Sequence, residues 1–143
     1  MRVQGFDHVS LPTNDVEALI AFYKRLDFTI LYEDEWRAGS VRWIAIQVDE
    51  HVKINVHPPE MWQDGRFTLR GPTALPGCGD LCFYYPGTII EAEAWLRDLG
   101  AEIAYGPVEQ RGGADAGMRR GTSIYTRDPD GNLLEFMTYA EGR

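Results

Sequence analysis

The sequence predicts an α+β fold made of two tandem βαβββ modules. Three observations predict it. A helical stripe recurs at a constant offset: Ile89, Ala92, Leu96 and Leu99 each stand 73 positions after Val16, Leu19, Tyr23 and Leu26, and the spacing within each set is that of one buried helix face. Each stripe opens on a capping-box pair, Asn14 with Glu17 and Thr88 with Glu91, which satisfies the first free backbone N–H groups of a helix. Each module then closes on a hairpin pattern, across Asp49-Glu50-His51 in the first and across Asp128-Pro-Asp-Gly131 in the second.

The elements follow in order. Residues 5–11 (Gly-Phe-Asp-His-Val-Ser-Leu) alternate as a strand, 14–26 form the first helix and 28–32 a short strand. Residues 41–48 and 52–57 alternate as the arms of a hairpin. Module one therefore spans 5–57. Residues 58–77, rich in Pro and Gly, connect the modules. Module two spans 78–139. It has a strand at 80–85, a helix ending at Gly100 as its C-terminal cap, a short strand at 102–105, and a hairpin of 121–127 with 132–138. Residues 106–121 hold five glycines and Arg111, Arg119 and Arg120. They read as a mobile loop, and the arginines as a possible lid. The glycines match neither a phosphate loop nor a dinucleotide fingerprint, because no strand–loop–helix context surrounds them.

Composition narrows the function. The chain has 143 residues, 44% hydrophobic and 25% charged, which suits one globular domain with its own core. Its formal net charge of −8 argues against a nucleic-acid or anionic-membrane partner. No apolar run approaches the roughly 20 residues of a membrane helix. The N-terminus lacks a secretory pattern, so the expected location is cytoplasmic. Cys78 and Cys82 are too few for a zinc cluster or a disulfide framework and are expected in the core.

Strand alternation sorts side chains between the helix-covered face and the opposite one. In module one Val9, Leu11, Ile54 and Val56 go under the helix. Phe6, His8, Ser10, Lys53, Asn55 and His57 go to the other side. In module two Leu81, Phe83, Leu134 and Phe136 go under the helix, and Asp80, Cys82, Tyr84, Leu133, Glu135 and Met137 go opposite. His8 and Asp80 open the first strand of their modules. His57 and Glu135 are placed as equivalents near the end of the fourth. A pseudo-twofold pairing of the modules into a curved mixed sheet would gather these four side chains in a metal-binding cleft. Two imidazoles and two carboxylates suit Zn²⁺, Ni²⁺, Mn²⁺, Fe²⁺ or Co²⁺. Phe6, Ser10, Asn55, Cys82, Tyr84, Leu133 and Met137 are then the expected walls of a substrate pocket. His51 is read as a solvated turn residue.

The repeat, together with Phe6-Asp7-His8-Val9-Ser10, Ala21-Phe22-Tyr23 and Asp128-Pro-Asp-Gly-Asn-Leu-Leu-Glu135, resembles the vicinal oxygen chelate superfamily of glyoxalases, bleomycin-binding proteins, fosfomycin-modifying enzymes and dioxygenases. Lys53-Ile-Asn-Val-His57, Pro76-Gly77 with Asp80-Leu-Cys-Phe83, and Gly106-Pro-Val-Glu109 resemble the group called glyoxalase domain-containing protein 5 and its bacterial relatives. The resemblance implies His8 as the first metal ligand, Glu135 as the last and His57 as a third. Asp80 stands where many members have His, so a three-ligand set of His8, His57 and Glu135 is weighed beside a four-ligand one. It also implies a homodimer.

The expected activity is that of an enzyme. It is a metal-dependent, glyoxalase-like lyase or isomerase for a small α-oxo substrate, with Glu135 and then Asp80 as proton shuttle. Two other readings stand beside it. One is a metal-free dimeric protein that sequesters a drug or metabolite through Trp36, Trp43, Trp62, Tyr84 and Tyr125. The other is a metal-dependent transferase of the fosfomycin-modifying type, with Arg111, Arg119 and Arg120 supplying positive charge.

Overall fold

A computed structural model describes residues 1–143. The chain divides into two compact units, Met1–Cys78 and Gly79–Arg143, so the connector packs with the first module. Each unit holds one four-stranded mixed sheet. No helix is long and apolar enough to cross a membrane.

In the first unit the order is β1 (His8–Pro12), α1 (Val16–Arg25), β2 (Thr29–Leu31), α2 (Glu33–Arg37), β3 (Ile44–Gln47), β4 (Lys53–His57) and α3 (Pro59–Trp62). The strands lie in the order β1-β4-β3-β2, with β1 parallel to β4 and the other pairs antiparallel. The core is the predicted one. Val16, Leu19, Tyr23 and Leu26 of the predicted stripe are buried with Ile44, Ile46, Ile54 and Val56 of the sheet, and Ile20, outside that stripe, joins them. Asp15, not Asn14, caps α1 through a hydrogen bond from Ala18 N, because Asp15 is the residue that stays extended (φ −147°) while its successors turn helical. Phe6 lies before the start of β1 and is 66% exposed, so it is no part of a strand face. The short helix α2 was not anticipated, since its sequence has no apolar stripe. Neither was α3, whose Pro59 takes the first helical position, where a missing N–H costs nothing.

In the second unit the order is β5 (Asp80–Tyr84), α4 (Ile89–Asp98), β6 (Tyr105–Arg111), the single turn α5 (Ala114–Gly117), β7 (Arg120–Arg127) and β8 (Leu133–Thr138), with the strands arranged β5-β8-β7-β6. Again the first and last strands are parallel. Ala92 and Leu96 of α4 are buried with Ile124, Leu134 and Phe136, and Trp95 packs edge-on against Phe136 at 5.1 Å. The predicted capping box is present, with Thr88 and Glu91 bonded reciprocally. Both long helices end alike. Phe28 N reaches Tyr23 O and Ala101 N reaches Leu96 O across a left-handed residue, Asp27 (φ 63°) in one and Gly100 (φ 71°) in the other. The duplication therefore extends to the helix caps.

Residues 106–111, expected in a mobile loop, are strand β6. Glu109, Gln110 and Arg111 pair with Thr122, Gly121 and Arg120 of β7. Cross-strand pairing overrides the local glycine signal, and only 112–119 form the connecting turn. The arginines are held in this hairpin. Arg119 pairs with Asp115 at 2.7 Å and donates to Gly142 O, and Arg120 faces Glu109 at 3.6 Å. Cys78 and Cys82 are exposed free thiol residues, not core.

Candidate functional site

Strand alternation fixes which face each side chain takes, and the ladders fix which side chains share a row. On the uncovered face of the second sheet, Asp80, Leu133 and Arg127 form one row. Cys82, Glu135, Tyr125 and Tyr105 form the next, and Tyr84, Met137, Ser123 and Val108 a third. Glu135 is the chemical centre of this face. Its Oε1 accepts from Ser123 Oγ at 2.5 Å and from Gln110 Nε2 at 2.6 Å. Gln110 Nε2 also donates to Tyr125 Oη. Burial holds the Tyr125 hydroxyl above its usual pKa. The Gln110 hydrogen bond opposes that shift and the Glu135 charge adds to it. Although Cys82 as a residue is exposed, its thiol is pushed up to about 12, first by burial and then by the neighbouring Glu135 charge.

A hollow of about 480 Å³ opens on this face, lined by Asp80, Tyr105, Gln110, Tyr125, Leu133 and Glu135. Both predicted catalytic carboxylates thus reach one hollow, and Leu133 walls it. Cys82 flanks Glu135 in the ladder. Tyr84 and Met137 lie a row away: Tyr84 is capped by Arg143, whose backbone N–H donates to its hydroxyl, and the Met137 sulfur accepts from Ser123 Oγ at 3.3 Å. Alternation alone could not separate the rows. Sequence reasoning missed Gln110 because its segment was read as a loop, and Ser123 because only the ladder to Met137 puts it on the same face as Glu135. Of the five aromatics expected to hold a ligand, Tyr125 alone lines the hollow. Trp62 donates its indole N–H to Thr13 O instead.

On the uncovered face of the first sheet, His8, Lys53, Gln47 and Thr29 share a row. Ser10, Asn55, Ala45 and Leu31 share the next, and Pro12 pairs with His57 in the third. His8 is exposed, and its Nδ1 meets the Asp7 carboxylate at 2.5 Å. That contact pulls the Asp7 pKa down. The ladders correct the equivalence assumed for His57. His8 faces Lys53 as Asp80 faces Leu133, so the module-one counterpart of Glu135 is Asn55, and His57 corresponds to Met137. The Asn55 Oδ1 is buried without a hydrogen-bond partner. His57 is 7% exposed, with its ring edge-on to Phe67 at 5.2 Å. Burial, and then the Arg70 charge, lower its pKa. No three His, Cys, Asp or Glu side chains gather as a metal set.

No family model matches the chain. A glyoxalase domain-containing protein from Mycosarcoma maydis is 30% identical over 144 residues, covering all of this chain and 73% of the relative. A virulence protein from Salmonella typhimurium is 33% identical over 140 residues, covering 97% of this chain and 87% of the relative. The crystal structure of that virulence protein superposes with a TM-score of 0.79 over 98% of this chain and 100% of its own. A lactoylglutathione lyase from Agrobacterium tumefaciens, at 18% identity and a TM-score of 0.67 over 95% of this chain and 94% of its own, shares the fold.

Proposed function

The chain belongs to the vicinal oxygen chelate superfamily, and from that premise we propose that it is a metal-dependent, glyoxalase-like lyase or isomerase for a small α-oxo compound. The observation that carries the reading is Glu135. Two neutral donors, Ser123 and Gln110, both take its Oε1, so Oε2 is committed to neither. A carboxylate held in this way has a fixed direction, which is what a proton shuttle requires.

The donor chemistry suits a divalent ion. His8, with its Nδ1 on the Asp7 carboxylate, keeps Nε2 for a metal. Asn55 Oδ1 is a buried acceptor with no donor, and such an atom favours a cation. Asp80 and Glu135 bring the negative charge. His8 and Asn55 in the first unit, and Asp80 and Glu135 in the second, are therefore the donors proposed for divalent metal; His57 is packed on Phe67, with its pKa lowered by burial and then by the Arg70 charge. When bound, the ion supplies Lewis acidity toward two adjacent substrate oxygens. The chain's own residues do the rest. Glu135 takes the proton from the carbon beside the carbonyl and returns it to the neighbouring carbon. Asp80 is the second carboxylate in the hollow, and the Tyr125 hydroxyl stays protonated and able to donate.

Elemental analysis of purified protein tests this. The native chain should carry a divalent transition metal, and His8→Ala, Asn55→Leu and Glu135→Ala should lose most of it while His57→Gln keeps it. Equal trace metal in native protein and all variants would sink the site. A second reading has its own observation. Tyr105 and Tyr125, 6.0 Å apart between ring centroids, sit in one hollow with Asp80, Glu135 and Arg127; two carboxylates against one guanidinium leave it net negative, a combination that suits a cationic aromatic ligand bound without metal. Indifference of the melting temperature to divalent ions and to chelator would favour it.

A further inference from the structure

Arg127 closes β7 and pairs with Leu133 of β8, which pairs in turn with Asp80 of β5. This row lies one step from the row of Glu135 and Tyr125, about 6.8 Å along the sheet. All five side chains line the hollow of about 480 Å³. Arg127 is exposed, so a solute entering from water meets it. Its Nη1 donates to Gly131 O at 2.9 Å, and it makes no ion pair. A main-chain carbonyl of the β7–β8 turn holds the side chain, not a carboxylate. That turn is itself fixed, because the buried Asp128 carboxylate accepts from the N–H groups of Asp130 and Asn132. The Nε–Nη2 edge of the guanidinium, the edge that matches the two oxygens of a carboxylate, is left without a partner in the chain.

The charges around the hollow decide what that edge takes. Asp80, Glu135 and Arg127 are its charged residues; Ala104, Tyr105, Gln110, Tyr125 and Leu133 complete the wall. A divalent ion held as proposed above balances the two carboxylates and leaves the one positive charge of Arg127. We propose that Arg127 anchors the substrate, and that the substrate is a hydroxy-oxo acid. Its two adjacent oxygens are those that meet the ion, and its carboxylate lies on the Nε–Nη2 edge of Arg127. The inference rests on the function proposed above and adds the acid group to it. One excess positive charge matches a monoanion and not a doubly charged phosphate. A planar fork also fixes the angle of the carboxylate, so Arg127 sets which carbon faces Glu135. It acts on specificity, because a neutral analogue of the same shape leaves its charged donors unpaired.

The test is calorimetric titration of protein reconstituted with Zn²⁺, at constant ionic strength, with hydroxypyruvate in one arm and dihydroxyacetone in the other. Dihydroxyacetone keeps the adjacent oxygens and carries a hydroxymethyl group in place of the carboxylate. The native chain should bind hydroxypyruvate more tightly by about ten-fold or more, as charge-assisted hydrogen bonds would give. Arg127→Met should bring the two affinities together, and Arg127→Lys, which keeps the charge without the fork, should retain part of the preference. Zinc content is measured on every sample. The same preference in native protein and Arg127→Met at equal zinc content overturns the anchor and leaves the metal-dependent function standing. So does a native chain that binds both compounds equally, or neither. A native chain that takes up no Zn²⁺ overturns the proposed function, and the anchor with it. If Arg127→Met loses its zinc, Arg127→Gln makes the same comparison, and loss from both overturns the anchor by giving Arg127 a structural role.

Discussion

Glu135 and Cys82 sit side by side in the β5–β8 ladder, and their chemistry is coupled. A thiol pushed up to about 12 is protonated across the physiological range, so it is a poor nucleophile. Cys78, exposed at the end of the first unit, lies outside every strand. Iodoacetamide at pH 8 should therefore modify Cys78 well before Cys82, as read by peptide mass spectrometry. The sign follows from the causes. The negative charge of Glu135 disfavours the thiolate, so Glu135→Gln should lower the Cys82 pKa and speed its alkylation. Unchanged kinetics at Cys82 in that variant would show that burial alone sets the shift.

At the scale of elements, the β7–β8 turn is the most demanding local structure in the second unit. Asp128 and Asn132 are 6% and 1% exposed. The Asp128 Oδ1 accepts from the backbone N–H groups of Asp130 and Asn132, both at 3.0 Å, and its Oδ2 accepts from Asn132 Nδ2 at 2.8 Å. Asn132 Oδ1 in turn accepts from Gly79 N at 2.7 Å, which fastens the entry to β5. Gly131 takes a φ of 91° to close the turn, a conformation a side chain would strain. Removing the carboxylate strands buried donors, each costing about 1–3 kcal/mol. Asp128→Ala should therefore lower unfolding stability by at least about 2 kcal/mol in urea titrations, while Asp128→Asn, which keeps acceptor oxygen, should cost less. The turn lies directly before β8, so the same element that closes the hairpin also delivers Glu135 to its row.

For the whole molecule, the surface carries large apolar side chains that a monomer leaves in water: Phe6 at 66%, Tyr105 at 64%, Met118 at 65% and Ile90 at 78% exposure. Their burial against a second copy is expected to drive assembly, and the formal charge of −8 to oppose it by repulsion that salt screens. Light scattering at moderate ionic strength should give twice the 16.2 kDa chain mass, shifting toward the monomer as salt is withdrawn; a monomer at all salt concentrations would leave those side chains unexplained. The two modules, the α1 stripe, the capping box at Thr88 and the face of most strand residues are legible in the sequence, because these are local patterns, most with a period of 2.0 or 3.6 residues; Phe6, before the start of β1, is the exception. The sequence did not reveal β6, which holds one glycine and one proline and runs into the glycines of 112–121, and whose strand character comes from pairing with β7. Nor could it choose between Asn55 and His57. A slip of two residues along a strand returns every side chain to the same face, so alternation is blind to it, and only hydrogen-bonded partners across the sheet decide which residue stands opposite which.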